Sequence, residues 1–405
     1  MIPRTKYAVE KPKYEVDEQK YRRFPVTKQG FVTLGQKDTQ KTGLFHWTEK
    51  MQETALKKAK QGDEKASIEQ ALSAGSDAVN WLLASYGMPN SQGLSWNPIT
   101  VSGDWQTDKR QLGSQEMADL IKYTARIYGS DLTGIARLDK KWVYSEDLEK
   151  PFLFAEADEP EEREDAFMIP EKMDRAIVMA VAMNIEFCET SPEVLANTAT
   201  NLGYSRAAAA VISLAEFIRS LGYAAIPCVN DTALSVPLAV DAGLGELGRL
   251  GLLITPEFGP CVRIMKILTD MPLACDQPVD FGIQEFCKNC LLCAEECPAD
   301  CISYGEPTTK TVCENNNPGV KKWPIEAEKC LSYWQTNGTS CSTCLAVCPF
   351  TKGFESVQCV LCSDCDMRTN CSLQLITRER ETHGYVKRTK WGRRPDICPL
   401  TREGL

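Results

Sequence analysis

Two runs of cysteine constrain this chain more than any other feature. The first is Cys287-x2-Cys290-x2-Cys293-x3-Cys297-Pro298, and the second is Cys330-x10-Cys341-x2-Cys344-x3-Cys348-Pro349. Three thiolates spaced three residues apart wrap a tight loop around three irons of a [4Fe–4S] cube. The fourth, just before a proline, is thrown to a different cluster. The second run matches the first except that its first gap has grown to ten residues. Crossed ligation assigns Cys287, Cys290, Cys293 and Cys348 to one cube, and Cys297, Cys330, Cys341 and Cys344 to the other. Zinc ribbons use two CxxC knuckles instead, so two [4Fe–4S] clusters are expected.

The chain has 19 cysteines, an odd number in 405 residues, which does not suit a small disulfide scaffold. Cys188, Cys228, Cys261, Cys275, Cys301, Cys313 and Cys398 lack metal spacing and read as buried reduced thiols. The set Cys359-x2-Cys362-x2-Cys365-x5-Cys371 leaves three readings open: a third cluster, a zinc, or no partner. The only histidines are His46 and His383, too few for a multi-histidine metal site. A net charge of −9 argues against a nucleic-acid partner. The start of the chain has no apolar signal core, and the longest apolar stretch, Ala207–Ala215, is nine residues long against the roughly 20 a membrane span needs. As written, the sequence reads as cytoplasmic. The alternative is the mature form of an exported protein, membrane-associated on the outer face.

Residues 1–110 are polar and irregular, with scattered aromatics (Phe45, Trp47, Trp81, Tyr86, Trp96, Trp105), and read as a wrapping segment that contributes to a substrate pocket. Residues 111–279 form an α/β core, 280–352 a two-cluster module, and 353–405 a cysteine-containing tail. Within the core, Glu116, Leu120, Tyr123, Thr124 and Ile127 recur at helical spacing, and Gly129 ends the run. A strand is expected at DLTGIARL and another over Arg175–Phe187. Ser191-Pro192-Glu193 reads as a helix start, and Ala207–Leu221 as a second helix closed by Gly222. The alternation of strands and helices argues for an α/β fold. The acidic stretch 156–166 reads as a solvated loop. Gly243-Leu244-Gly245-Glu246-Leu247-Gly248 marks a close backbone approach, and a lone GxGxxG is weak evidence for a dinucleotide.

Several stretches resemble the reductive dehalogenases, corrinoid enzymes that remove halide from organohalides. They are GSDLTGIARLDKKW (129–142), the block from GYSR through RIMKILTDMPL (203–273), DFGIQEFCKNCLLCAEECP (280–298), and the KWPIEAEKC lead-in to the second cysteine run. The 203–273 block looks closest to the tetrachloroethene-reducing branch. The resemblance implies a nitroreductase-like α/β/α core that buries a base-off corrinoid (cobalamin), beside a ferredoxin-like domain with two [4Fe–4S] clusters. It implies Tyr204 as proton donor, with Asn230 and Arg263 as its polar partners, and the spacings of 26 and 33 residues between the three agree with the family's. An unperturbed tyrosine titrates near ~10, and a nearby cation favours the phenolate. It redirects Gly243, Leu244, Gly245 and Glu246 toward corrinoid contact. It also implies an organohalide substrate, such as a small chlorinated hydrocarbon, a reduced electron donor and a small membrane anchor protein as partners. No DxHxxG motif offers a histidine to cobalt. The CxxCxxC tail departs from the family pattern. Two rivals stand beside this reading: an epoxyqueuosine reductase, which should show a basic surface and an acidic proton donor, and an electron-transfer ferredoxin subunit without corrinoid.

Overall fold

A computed structural model describes residues 7–38, a few positions between 51 and 69, the short runs 72–79 and 96–98, and 112–352. Cys359, Cys362, Cys365, Cys371, Cys398 and the rest of the 353–405 tail lie outside the described residues, as do Phe45, Trp47, Trp81, Tyr86 and Trp105.

The elements follow in chain order. They are α1 (Gly30–Asp38), α2 (Ser114–Ile127), β1 (Leu132–Arg137), β2 (Phe152–Ala155), β3 (Glu161–Glu162), β4 (Phe167–Pro170) and β5 (Arg175–Ala182). Next come α3 (Ile185–Cys188), α4 (Val194–Ser220), β6 (Ala225–Cys228), α5 (Ser235–Asp241), β7 (Glu246–Leu247), β8 (Leu253–Ile254) and β9 (Val262–Thr269). The cysteine-rich part carries α6 (Ile283–Asn289), α7 (Leu292–Glu295), α8 (Ala327–Asn337) and α9 (Thr343–Ala346).

The central sheet runs in the order β1-β5-β9-β6, and every neighbouring pair is antiparallel. After Arg175, strand β5 is apolar because both of its faces are covered. Ile177, Met179 and Val181 pack with Met117 and Ile121 of α2 and with Val211 and Leu214 of α4. Ala176, Val178 and Ala180 point the other way, toward Leu238 and Val240 of α5 and the aromatics Trp142 and Phe24. This is the period of two that a pleated strand imposes. A fully buried Val, Ile or Met side chain contributes ~1.5–3 kcal/mol, so these layers supply much of the core's cohesion.

Four details depart from the sequence reading. The strand expected over Arg175–Phe187 stops at Ala182, and Ile185–Cys188 is helical. The helices expected at 191 and 207 are one continuous helix of 27 residues, α4. Ser191 does not cap it: its hydroxyl accepts from Ser342 N at 2.8 Å and exchanges a bond with Thr343 Oγ1 at 3.1 Å. On α2 the buried face is Met117, Ala118, Ile121, Thr124 and Ala125, while Tyr123 and Ile127 are exposed. The acidic stretch is exposed, as expected, but Glu161–Glu162 pairs with β4 as a short edge strand.

The N-terminal segment wraps the core. Ala8 bridges Val279 and Val16 bridges Val320. Tyr21 OH donates to Lys141 O at 2.6 Å, and the Arg23 guanidinium donates to the carbonyls of Val143, Tyr144 and Phe152. Helix α1 lies on α8, with the Phe31 and Trp334 rings 6.1 Å apart. No helix among the described residues is long and apolar enough to cross a membrane.

Candidate functional site

A cavity of about 460 Å³ opens where the N-terminal wrap, the C-terminal end of β6 and the segment between the two cysteine runs meet. Its wall includes Tyr204, Asn230, Tyr144, Trp142, Tyr14 and Lys322. Tyr204 is half-buried on α4 and meets Asn230, in the loop after β6. Asn230 Nδ2 donates to Tyr204 OH at 3.0 Å. Because the amide is the donor, the phenolic hydrogen stays free for another acceptor.

Arg263, on β9, places its guanidinium carbon 4.9 Å from the Tyr204 ring centroid, so the cation lies over the ring face. One Nη donates to Thr200 Oγ1 at 3.0 Å, while the buried Nε has no partner among the described residues. Gly203 makes room for this: a Cβ there would come within 2.8 Å of Arg263 Cγ. The structure therefore brings Tyr204, Asn230 and Arg263 together from three elements, with Tyr204 and Asn230 on the cavity wall.

The Asn230 loop is held from beneath. Lys266 is fully buried, and its ammonium donates to Val229 O at 2.7 Å and Ser235 Oγ at 3.1 Å. Asp231, also buried, accepts from Val229 N at 2.7 Å and Thr232 Oγ1 at 3.0 Å. Burial pushes Asp231 up and Lys266 down, and each charge opposes the other's shift. In front, Gln29 donates to Tyr144 OH at 3.1 Å, and Tyr144 OH reaches Asn230 O at 3.4 Å. Sequence reasoning missed Lys266 and Tyr144. Lys266 was visible as the one charge in the apolar run IMKIL, and Tyr144 sits two residues past the quoted KKW.

Two further cavity groups were not anticipated. Lys322 is lowered to about 8 by burial, with the Cys313 thiol opposing. Asn315 Oδ1 and Asn317 Oδ1 are buried acceptors without partners among the described residues, and both residues line the cavity. A ligand rich in primary amides, which donate as well as accept, suits such a wall.

The glycine-rich turn does something else. A Cβ on Gly243, whose φ is +69°, would meet Gln277 O at 2.3 Å, and one on Gly245 would meet Ile254 O at 2.1 Å. The close approach is to the chain's own backbone. Leu244 is buried, and Glu246 spends its carboxylate on the amides of Phe281 and Ile283 at the start of α6. Burial raises Glu246 to about 6. The cavity wall itself takes in their neighbours Leu247 and Gly251.

The cysteines gather beside this turn. Burial, with Cys287, Cys290 and Cys293 as neighbours, pushes the Cys348 thiol well up. Burial and Cys290 raise Cys293 to about 12, against the pull of Arg249. Burial raises Cys344 too, with Cys341, Cys293, Cys297 and Cys301 around it. Such crowded thiols resist deprotonation until a cation neutralises them. Among the described residues no three His, Cys, Asp or Glu converge on one ion position. A cube, by contrast, needs thiolates spread over its four corners, so the donor set fits clusters better than a single metal. Cys301, read from sequence as a buried reduced thiol, lies with its sulfur 3.4 Å from that of Cys297.

Residues 117–273 match the family described as reductive dehalogenase subunit. The chain is 40% identical over 304 residues to the tetrachloroethene reductive dehalogenase of Sulfurospirillum multivorans, covering 68% of this chain and 61% of that protein. It is 37% identical over 310 residues to the tetrachloroethene reductive dehalogenase of Desulfitobacterium hafniense, covering 65% and 56%. The chain thus spans about three-fifths of the curated relatives it matches. A solved reductive dehalogenase described in terms of B12-dependent dehalogenation shares the fold, with a TM-score of 0.66 and 23% identity, over 94% of this chain and 49% of that one.

Proposed function

Through residues 117–273 this chain belongs to the reductive dehalogenase family, and we propose that it reductively removes halide from an organohalide, a small chlorinated hydrocarbon in the first instance. The reaction adds two electrons and one proton for each halide released. In this reading the cavity of a nitroreductase-like core would hold a base-off corrinoid, which would supply low-potential cobalt chemistry for carbon–halogen cleavage. The chain's own residues bind, orient and protonate. Asn315, Asn317 and Lys322 would hold amides on the corrinoid's rim. Cys287, Cys290, Cys293 and Cys348 would hold one [4Fe–4S] cluster, and Cys297, Cys330, Cys341 and Cys344 the other, in a ferredoxin-like domain fed by an external reduced donor.

The observation that carries the reading is the 3.0 Å contact from Asn230 Nδ2 to Tyr204 OH on the cavity wall, with Arg263 over the ring. Asn230 fixes the phenol while leaving its proton available. Tyr204 gives that proton to the carbon that loses halide, and the Arg263 charge compensates the phenolate left behind. Lys266 and Asp231 keep Asn230 in place. Trp142, Tyr144 and Phe24 keep the wall dry.

An epoxyqueuosine reductase would need an acidic proton donor, and a tyrosine stands in that role here. A plain ferredoxin subunit would leave the Tyr204–Asn230 pair and the orphaned asparagine acceptors without a purpose. A small membrane anchor and an outer-face location belong to the same proposal. The test is an anaerobic halide-release screen over chlorinated ethenes, ethanes and phenols, with reduced viologen as donor. Halide release that requires both cobalt and iron is expected. Protein loaded with both that releases none from any class refutes the reading, and protein that takes up iron but no cobalt favours the carrier.

A further inference from the structure

Arg249 is fully buried, at 1% exposure, in the turn between β7 and β8. Its guanidinium points away from the cavity and into the loop of the first cysteine run. Nε donates to Cys287 O at 3.0 Å and Cys290 O at 3.2 Å. One Nη donates to Ser303 O at 2.7 Å and Gly305 O at 3.0 Å, and the other to Lys288 O at 3.3 Å. The group also stacks on Trp323, 5.0 Å from the ring centroid. All five acceptors are neutral carbonyls. No carboxylate among the described residues pairs with it, although the same structure pairs Lys13, Lys122 and Arg219 with acids. A buried cation without a counter-charge is costly, and five carbonyls satisfy its hydrogens but not its charge.

We propose that Arg249 is the counter-charge of the cluster held by Cys287, Cys290, Cys293 and Cys348, and that it sets that cluster's reduction potential apart from the other's. The inference rests on the two-cluster reading above. A [4Fe–4S] cube with its four thiolates carries a net charge of about −2, and about −3 after taking one electron from an external donor. A fixed cation in a site of low dielectric stabilises the second form more than the first, so it raises the potential. Arg249 is also bonded to the backbone of two of the ligands, so it cannot drift away when the charge changes.

The test is an anaerobic redox titration of the full chain, reconstituted with iron and sulfide, followed by electron paramagnetic resonance. The signal of this cluster is assigned by its loss in Cys293→Ser. For Arg249→Gln we expect the ratio of reduced to oxidised cluster at the wild-type midpoint to fall at least tenfold, about 59 mV for one electron, with the second cluster unmoved. Arg249→Lys should stay within a few-fold of wild type, because the charge remains while the fork is lost. A Gln variant with full iron and an unmoved midpoint overturns the inference. So does a Lys variant whose midpoint falls by about 59 mV or more, since geometry and not charge would then be responsible; this arm decides the matter even where the Gln variant loads only one cluster. Wild-type protein that binds no iron would instead sink the cluster reading itself.

Discussion

Asp241 offers a test of how the N-terminal wrap is fastened. It stands at the end of α5, accepting from Tyr14 OH at 2.5 Å and Trp142 Nε1 at 3.1 Å. Burial raises its pKa from 3.8 to about 6, with the two hydrogen bonds opposing. The folded state therefore holds a proton on Asp241 between about pH 4 and pH 6 that the unfolded state has released. Stability must fall as pH rises through that window, the opposite of a salt-bridged carboxylate. At ~1.36 kcal/mol for each pKa unit, the whole window is worth ~3 kcal/mol, about half of it between pH 5 and pH 7.5. Asp241→Asn removes the titration. It also sets an amide N–H₂ against one of two donors, an indole or a phenol, which costs ~1–3 kcal/mol at every pH. The variant should therefore look worst at acid pH and recover relative to wild type toward pH 7.5. The measurement is the difference in urea midpoint between the two proteins, read by tryptophan fluorescence under anaerobic conditions at pH 5, 6 and 7.5. A difference that stays constant with pH, or grows toward pH 7.5, would refute the reasoning.

Three other outcomes are expected. Tyr204→Phe keeps the ring under Arg263, so cobalt and iron content should be normal while turnover drops by ~10²–10⁴, the usual worth of a general acid; near wild-type halide release would remove the tyrosine from the mechanism. Cys297→Ser should damage the cluster of Cys330, Cys341 and Cys344 and spare that of Cys287, Cys290 and Cys293, and paramagnetic resonance showing the reverse would defeat the crossed assignment. Lys266→Met removes the 2.7 Å donor to Val229 O and leaves it the longer bond from Ser235 Oγ at 3.4 Å, costing ~1–3 kcal/mol, and should lower turnover with iron content unchanged; a melting temperature and turnover equal to wild type would show that the Asn230 loop holds itself.

Much of the core was legible because its signals are local. The strands at 132 and 175 announce themselves by apolar runs, and the cysteine runs by spacing. The break expected inside α4 came from reading Ala207–Leu221 as a separate helix. Gly203 is helical after all, and its missing Cβ serves Arg263, a residue sixty positions away that no local window sees. The cavity wall was harder to foresee. Tyr14 meets Asp241 across 227 residues, and Asn315, Asn317 and Lys322 come from a segment with no periodicity between the cysteine runs. Pairings of that range leave no mark in composition or spacing. The glycine-rich turn was seen as a close approach, but only the fold tells what approaches: the carbonyls of Gln277 and Ile254.

Helix α4 begins three residues after Ser191, whose hydroxyl holds the backbone of Ser342. It carries Tyr204 ten residues in, and ends where Arg219 grips Trp96 O at 2.7 Å and Ala225 O at 2.8 Å. Such a rod has a phase as well as a length. One residue inserted between Val194 and Tyr204 would swing the phenol by ~100° and carry it ~1.5 Å along the axis. Seven would restore its bearing to within ~20°, but would move it ~10 Å from the anchored end. Away from Gly203, whose missing Cβ makes room for Arg263, substitution along this stretch can therefore be absorbed by repacking, whereas insertion and deletion cannot. A lineage drifting in this fold is free to rewrite the rod's surface but not to change its count.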